Sequence, residues 1–119
     1  KKNEELRAHV HMKMREVAYF LNLLAGPDAR EANGKTILEN SLFTISTESG
    51  DGRHNDTKRE LSGVFHAISS AGGRFKTGGI MDLKAEAIDV YNTMLTTLGA
   101  KRRLGDKKRK SELVNQIRA

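Results

Sequence analysis

Apolar residues recur at steps of three and four along the first 25 residues of the chain. The stripe consists of Leu6, Val10, Met14, Val17, Leu21 and Leu24, and Phe20 widens it. This spacing places the apolar side chains on one face of an α-helix, so it predicts a helix from Lys2 to Ala25. Gly26 and Pro27 end it, because glycine suits a C-terminal cap and proline cannot continue the hydrogen-bond ladder. The stripe is close to heptad spacing, which makes a homodimer through this helix one alternative to packing within the chain.

Residues 35–46 fit two kinds of structure. Their apolar residues are spaced for a helix, which is the interpretation we favour. The segment from Leu42 to Thr47 is also rich in β-branched residues and alternates in polarity, which is typical of a short strand.

The pattern predicts three further helices in the second half of the chain. After a polar loop at residues 48–55, Thr57 and Glu60 have the capping-box spacing, and Gly72-Gly73 stops the helix that they start. Another helix runs from Asp82, a good N-cap, to Leu98. The last is an amphipathic helix over residues 106–119. The apolar positions of these helices are Leu61, Val64, Phe65 and Ile68, then Leu83, Ala87, Val90, Tyr91, Met94, Leu95 and Leu98, then Leu113, Val114 and Ile117.

The predicted fold is therefore all-α: a compact bundle of four to five helices with a long N-terminal helix and a glycine-rich loop. A chain of 119 residues has the size of one domain. Residues 1–100 form the helical body, and residues 101–119 add a basic C-terminal segment and terminal helix of the same domain.

The net positive charge of the chain comes from its last nineteen residues. Residues 101–119 hold eight basic and two acidic residues, which accounts for the net charge of +6, whereas residues 1–100 hold thirteen of each sign. Within KRRLGDKKRK, residues 101–110, seven of ten residues are basic: Lys101, Arg102, Arg103, Lys107, Lys108, Arg109 and Lys110. Like charges at this density repel one another, so the cluster favours a polyanionic partner. An acidic protein surface and an import signal are the other interpretations, and the lack of an apolar face argues against lipid.

The stretch AGGRFKTGG, residues 71–79, combines four glycines with a basic and aromatic centre. It lacks the residue order of a nucleotide-hydrolysing phosphate loop, because Lys76-Thr77 precedes the last two glycines. Two interpretations stay open. The stretch is a connector with Phe75 in the core, or it is a contact loop in which Arg74 and Lys76 touch phosphates while Phe75 stacks on a base.

The sequence gives no positive sign of catalysis, a metal or a cofactor. It has no cysteine, which excludes disulfides and thiolate metal sites and favours an intracellular setting, cytoplasmic or nuclear. The spacing of the histidines suits no helical metal pair, and we found no nucleophile beside a base. No apolar run is long enough to cross a membrane, so no membrane partner is expected.

These observations predict a non-enzymatic accessory or regulatory domain that binds DNA or RNA through phosphate contacts. The predicted contacts are the seven basic residues of segment 101–110 together with Arg74, Phe75 and Lys76. The alternative is a helical protein-interaction or assembly module that is homodimeric through the first helix, with the basic segment binding an acidic protein.

Overall fold

The computed structural model describes residues 1–47, 64–110 and 112–119. Among these residues there are three α-helices, one two-stranded sheet and a short 3₁₀ turn. The elements are α1 (Lys2–Leu24), α2 (Ile37–Asn40), β1 (Thr44–Ser46), β2 (His66–Ile68), α3 (Ala87–Thr97) and the 3₁₀ turn (Asn115–Ile117). The predicted all-α bundle of four to five helices is therefore wrong. The predicted polar loop at 48–55 and the helix start at Thr57 lie outside the described residues.

Helix α1 confirms the prediction from the apolar stripe, and it differs only in ending at Leu24. Glu4 and Glu5 in its first turn carry the charge that the helix dipole favours there. The amide of Ala25 still bonds the carbonyl of Leu21 before Pro27 interrupts the ladder. None of the residues of α1 is buried, and no described helix combines the length and apolar content needed to cross a bilayer.

The ambiguous segment 35–46 divides into a helix and a strand. Thr36 caps α2, since its Oγ1 accepts the amide of Glu39 at 3.1 Å while the Glu39 carboxylate accepts the Thr36 amide at 2.7 Å. That backbone hydrogen bond from Thr36 lowers the pKa of Glu39. The helix that we favoured over the whole segment is wrong beyond Asn40, because the β-branched half pairs as β1.

Strand β2 replaces part of the helix predicted to run up to Gly72-Gly73, and that prediction is wrong for the described residues. It pairs antiparallel with β1, with Ile45 opposite Ala67. Ser69 extends the pairing, because its Oγ accepts the amide of Phe43 and donates to the carbonyl of Ser41, both at 2.6 Å. The apolar residues at 64–68 thus belong to a strand and its flank. The backbone groups of the strand form hydrogen bonds across the sheet instead of along a helix.

The sheet is joined to α3 through Tyr91. The Tyr91 hydroxyl lies 3.1 Å from Oγ of Ser46, and its ring meets the imidazole of His66 edge-on at 5.1 Å between centroids. Partial burial lowers the pKa of His66 and so favours the neutral imidazole. The contact is therefore an aromatic packing contact between the sheet and the helix.

The core lies where the glycine-rich loop, α3 and the C-terminus meet. Its buried apolar residues are Ala71, Phe75, Val90, Met94, Val114 and Ile117. The helix predicted at 82–98 is wrong in extent, and the helix predicted at 106–119 is wrong. Helix α3 begins at Ala87, five residues after Asp82, and only the 3₁₀ turn forms in the described part of 106–119. The C-terminal residues do not form an α-helix because the backbone of Arg118 pairs with that of Phe75 as an antiparallel bridge.

The glycine-rich loop turns the chain sharply after β2. Ala71, Gly72 and Gly73 follow one another with φ of 48°, 71° and 89°, in the left-handed region that glycine adopts without strain. The amide of Gly72 bonds the carbonyl of Glu39 at 2.7 Å, and that of Phe75 bonds the carbonyl of Ser70 at 3.0 Å. The glycines therefore let the chain turn and place Phe75 in the core.

Candidate nucleic-acid interface

Three polar residues occupy the buried side of α3. Asp89, Asn92 and Thr93 stand at helical positions i, i+3 and i+4, which share one face. Asn92 and Thr93 have no exposed surface, and Asp89 is 8% exposed. Buried polar groups are costly unless they are hydrogen-bonded, and each of these three has a partner in the C-terminal part of the chain.

Asn92 holds the chain at Leu104. Its Nδ2 donates to the carbonyl of Leu104 at 3.1 Å, and its Oδ1 accepts the amide of Leu104 at 2.7 Å. One side chain thus satisfies both backbone groups of one residue, much as a neighbouring strand would. We call residues 101–110 the basic strap, and Asn92 fixes its middle to α3.

Thr93 holds the chain beyond the basic strap. Its Oγ1 donates to the carbonyl of Asp89 at 2.6 Å and accepts the amide of Val114 at 2.9 Å. Val114 is itself a core residue. The chain is therefore attached to α3 on both sides of the segment 105–110.

Arg109 anchors the basic strap between these two attachments. Its guanidinium bonds both carboxylate oxygens of Asp89, at 3.0 and 3.1 Å, and reaches Glu86 at 2.8 Å. The hydrogen bonding that Arg109 donates to Asp89 is the main cause of a raised pKa at Arg109, and such paired contacts are among the stronger ionic interactions in proteins. Arg109 therefore holds the strap in place, and its charge is largely compensated within the chain.

The other six basic residues of the strap are exposed. They are Lys101, Arg102, Arg103, Lys107, Lys108 and Lys110. Asp106 forms the turn between them: its side chain accepts the amide of Lys108 at 2.9 Å, and its carbonyl accepts the amide of Arg109 at 3.1 Å. The strap is a fixed turn along the helix, with its cations on the solvent side.

The glycine-rich loop supplies two further exposed cations. Arg74 and Lys76 are exposed, whereas the ring of Phe75 is 2% exposed and lies in the core. The backbone here pairs with the C-terminus, because the Lys76 amide bonds the Ile117 carbonyl and the Ala119 amide bonds the Arg74 carbonyl. Burial of the ring favours the interpretation in which Phe75 packs in the core, so we leave it out of the contacts proposed below.

Sequence reasoning missed Asp89, Asn92 and Thr93. The apolar stripe of this helix was assigned correctly at Val90 and Met94, which are buried. The signal that could have identified these three residues is the presence of polar side chains between the apolar positions of the stripe. An i, i+3, i+4 set of short polar side chains inside an apolar helix needs partners from another segment.

No protein family, curated protein or solved structure gives a match to this chain.

Proposed function

We propose that the chain is an accessory or regulatory domain that binds DNA or RNA through the phosphates of the backbone. The observation that carries this proposal is the basic strap: six exposed cations on a backbone segment that buried side chains of α3 hold in place. A fixed segment loses little conformational freedom when it binds, so more of the electrostatic attraction contributes to affinity. The domain would act inside the cell, in the cytoplasm or nucleus, and without catalysis.

The distribution of charge supports a polyanionic partner. Residues 1–100 are neutral overall and residues 101–119 carry +6. Such asymmetry orients a polyanion toward one side of the domain and speeds its encounter. Arg74 and Lys76 are candidates for a second phosphate contact.

The test is a fluorescence anisotropy titration with generic single- and double-stranded oligonucleotides. If all six exposed cations meet phosphates, log Kobs falls against log salt with a slope of about −5 for duplex DNA and about −4 for single strands. An affinity that does not change between about 50 and about 200 mM salt would refute the proposal.

A second candidate function, self-assembly, is favoured by the exposure of α1. This helix has 23 residues and none is buried, although seven of its large apolar side chains are exposed. They are Leu6, Val10, Met12, Met14, Tyr19, Phe20 and Leu23. Extended apolar surface of this kind marks interaction sites, and a helix roughly 35 Å long offers a seam for a second copy of α1.

Val10 lies in the middle of the exposed stripe, and we expect Val10→Glu to keep the chain monomeric because it places a charge in the seam. Asn22→Glu adds the same charge on a polar face of α1, about 120° around the helix axis from Val10, and leaves a dimer intact. Light scattering at micromolar protein concentration measures both. A wild-type chain that stays monomeric at every concentration would reject this candidate.

A further inference from the structure

The solvent side of the basic strap contains a cleft of about 550 Å³. It is lined by residues 102–107 and by Arg109, all from one loop. Its volume is in the range of small-ligand sites, roughly 300–1,000 Å³. Because a single loop forms it, the cleft is a cup and not a groove between two elements.

The backbone of this cup is held by an attachment to α3 and by hydrogen bonds within the loop. Asn92 fixes both backbone groups of Leu104, and Asp106 bonds the amides of Lys108 and Arg109. Gly105 has φ of 95°, and a Cβ at this position would lie 2.7 Å from Cδ1 of Ile88. The positive φ of Gly105 is a conformation that glycine adopts without strain, and the cup is formed before a ligand arrives.

The lining of the cup is mainly basic and partly apolar. Arg102, Arg103 and Lys107 are exposed basic residues of the lining, and Asp106 is the acidic one. Arg109 contributes little free charge because Asp89 and Glu86 bind it. Leu104 is 54% exposed and offers an apolar surface to a sugar or base.

We infer that this cup binds the terminal phosphate of a nucleic-acid strand. A phosphate monoester carries a charge of about −1.5 to −2 at pH 7, against −1 for each internal phosphodiester. Three basic side chains line one small cup and match the more highly charged group, and the guanidinium fork of Arg102 can bind phosphate oxygens in pairs. This inference rests on the proposed nucleic-acid binding and adds recognition of a strand end.

The test compares one short oligonucleotide with a 5′-phosphate, with a 3′-phosphate and with hydroxyls at both ends, at equal salt. We expect at least one phosphorylated form to bind about tenfold tighter than the hydroxyl form, and the preference to shrink below about pH 6, where the monoester loses its second charge. Equal affinities for all three forms overturn the inference and leave the proposed function standing. The absence of any binding counts against the proposed function itself.

A pair of variants assigns the preference to the cup. Replacing Arg102 and Arg103 with glutamine removes the preference for the phosphorylated strand. The matched control replaces Lys108 and Lys110, which lie outside the lining of the cup, with glutamine. It is expected to weaken the binding of all three oligonucleotides by the same factor. If the double variant Arg102→Gln, Arg103→Gln still prefers the phosphorylated strand, the cup is not the site of that preference. If a nucleoside monophosphate binds as tightly as the strand, the cup binds free nucleotides, and the inference is again overturned.

Discussion

Replacing Lys107, Lys108 and Lys110 with glutamine is expected to lower the affinity for a generic oligonucleotide on the order of 100-fold near 0.1 M salt, and to reduce the salt slope by about three. All three side chains are exposed on the basic strap. Each phosphate that a lysine neutralises releases condensed counterions, and this release is lost with the charge. Anisotropy titrations at several salt concentrations measure both quantities.

The matched control removes the same charge from elsewhere in the chain. Lys2, Lys13 and Lys35 are also exposed and lie in α1 and in the loop before α2. Replacing them with glutamine is expected to change the affinity by less than about threefold, since only long-range attraction is reduced. Equal losses in the two triple variants would show that net charge alone, and not the strap, determines binding.

Asn92→Ala is expected to lower the free energy of unfolding by about 2 kcal/mol, since it removes both hydrogen bonds to the backbone of Leu104 and a fully buried side chain. The backbone of Leu104 loses its partner in α3, so its amide is expected to exchange with solvent faster. Oligonucleotide affinity falls several-fold while the salt slope is kept, because the cations remain but the segment must be ordered on binding. Urea denaturation, hydrogen exchange and anisotropy measure the three effects.

Asn22→Ala is the control for this variant. Asn22 is exposed on α1, and exposed substitutions of this kind change stability by less than about 0.5 kcal/mol. If Asn92→Ala is no more destabilising than Asn22→Ala, and exchange at Leu104 is unchanged, the strap is not held by α3 as described.

Helix α1 was predictable because its information is local. A stripe at helical spacing over 23 residues, followed by Gly26-Pro27, admits one structure. Residues 44–46 and 66–68 were harder because each strand has only three residues. Their pairing brings together segments about twenty residues apart, and no local pattern encodes that.

The prediction of a C-terminal helix was wrong for a different reason. Val114 and Ile117 have helical spacing, and both are buried as a helix would require. The backbone around them bonds Thr93 and the glycine-rich loop, through the Val114 amide and the Ile117 carbonyl. Tertiary hydrogen bonds thus replace the helical ladder, and the basic residues nearby, which oppose a helix dipole in a first turn, favour that outcome.

The basic residues of the candidate site could be predicted from the sequence. The contacts that attach the basic strap to α3 could not. Charge density alone selected Lys107 and Lys108. The attachment depends on Asp89 and Asn92, which lie fifteen to twenty residues away along the chain and look like ordinary polar residues of a helix. The role of such residues follows only from the segment that lies beside them in the fold.

The most direct test of the central claim is an NMR titration of the isotope-labelled full chain with a short oligonucleotide. The account predicts that the largest changes in the backbone amide signals fall within residues 101–110, with smaller ones at Arg74 and Lys76, and that those of α1 stay in place. Changes concentrated in α1, or no changes at any oligonucleotide concentration, would contradict it.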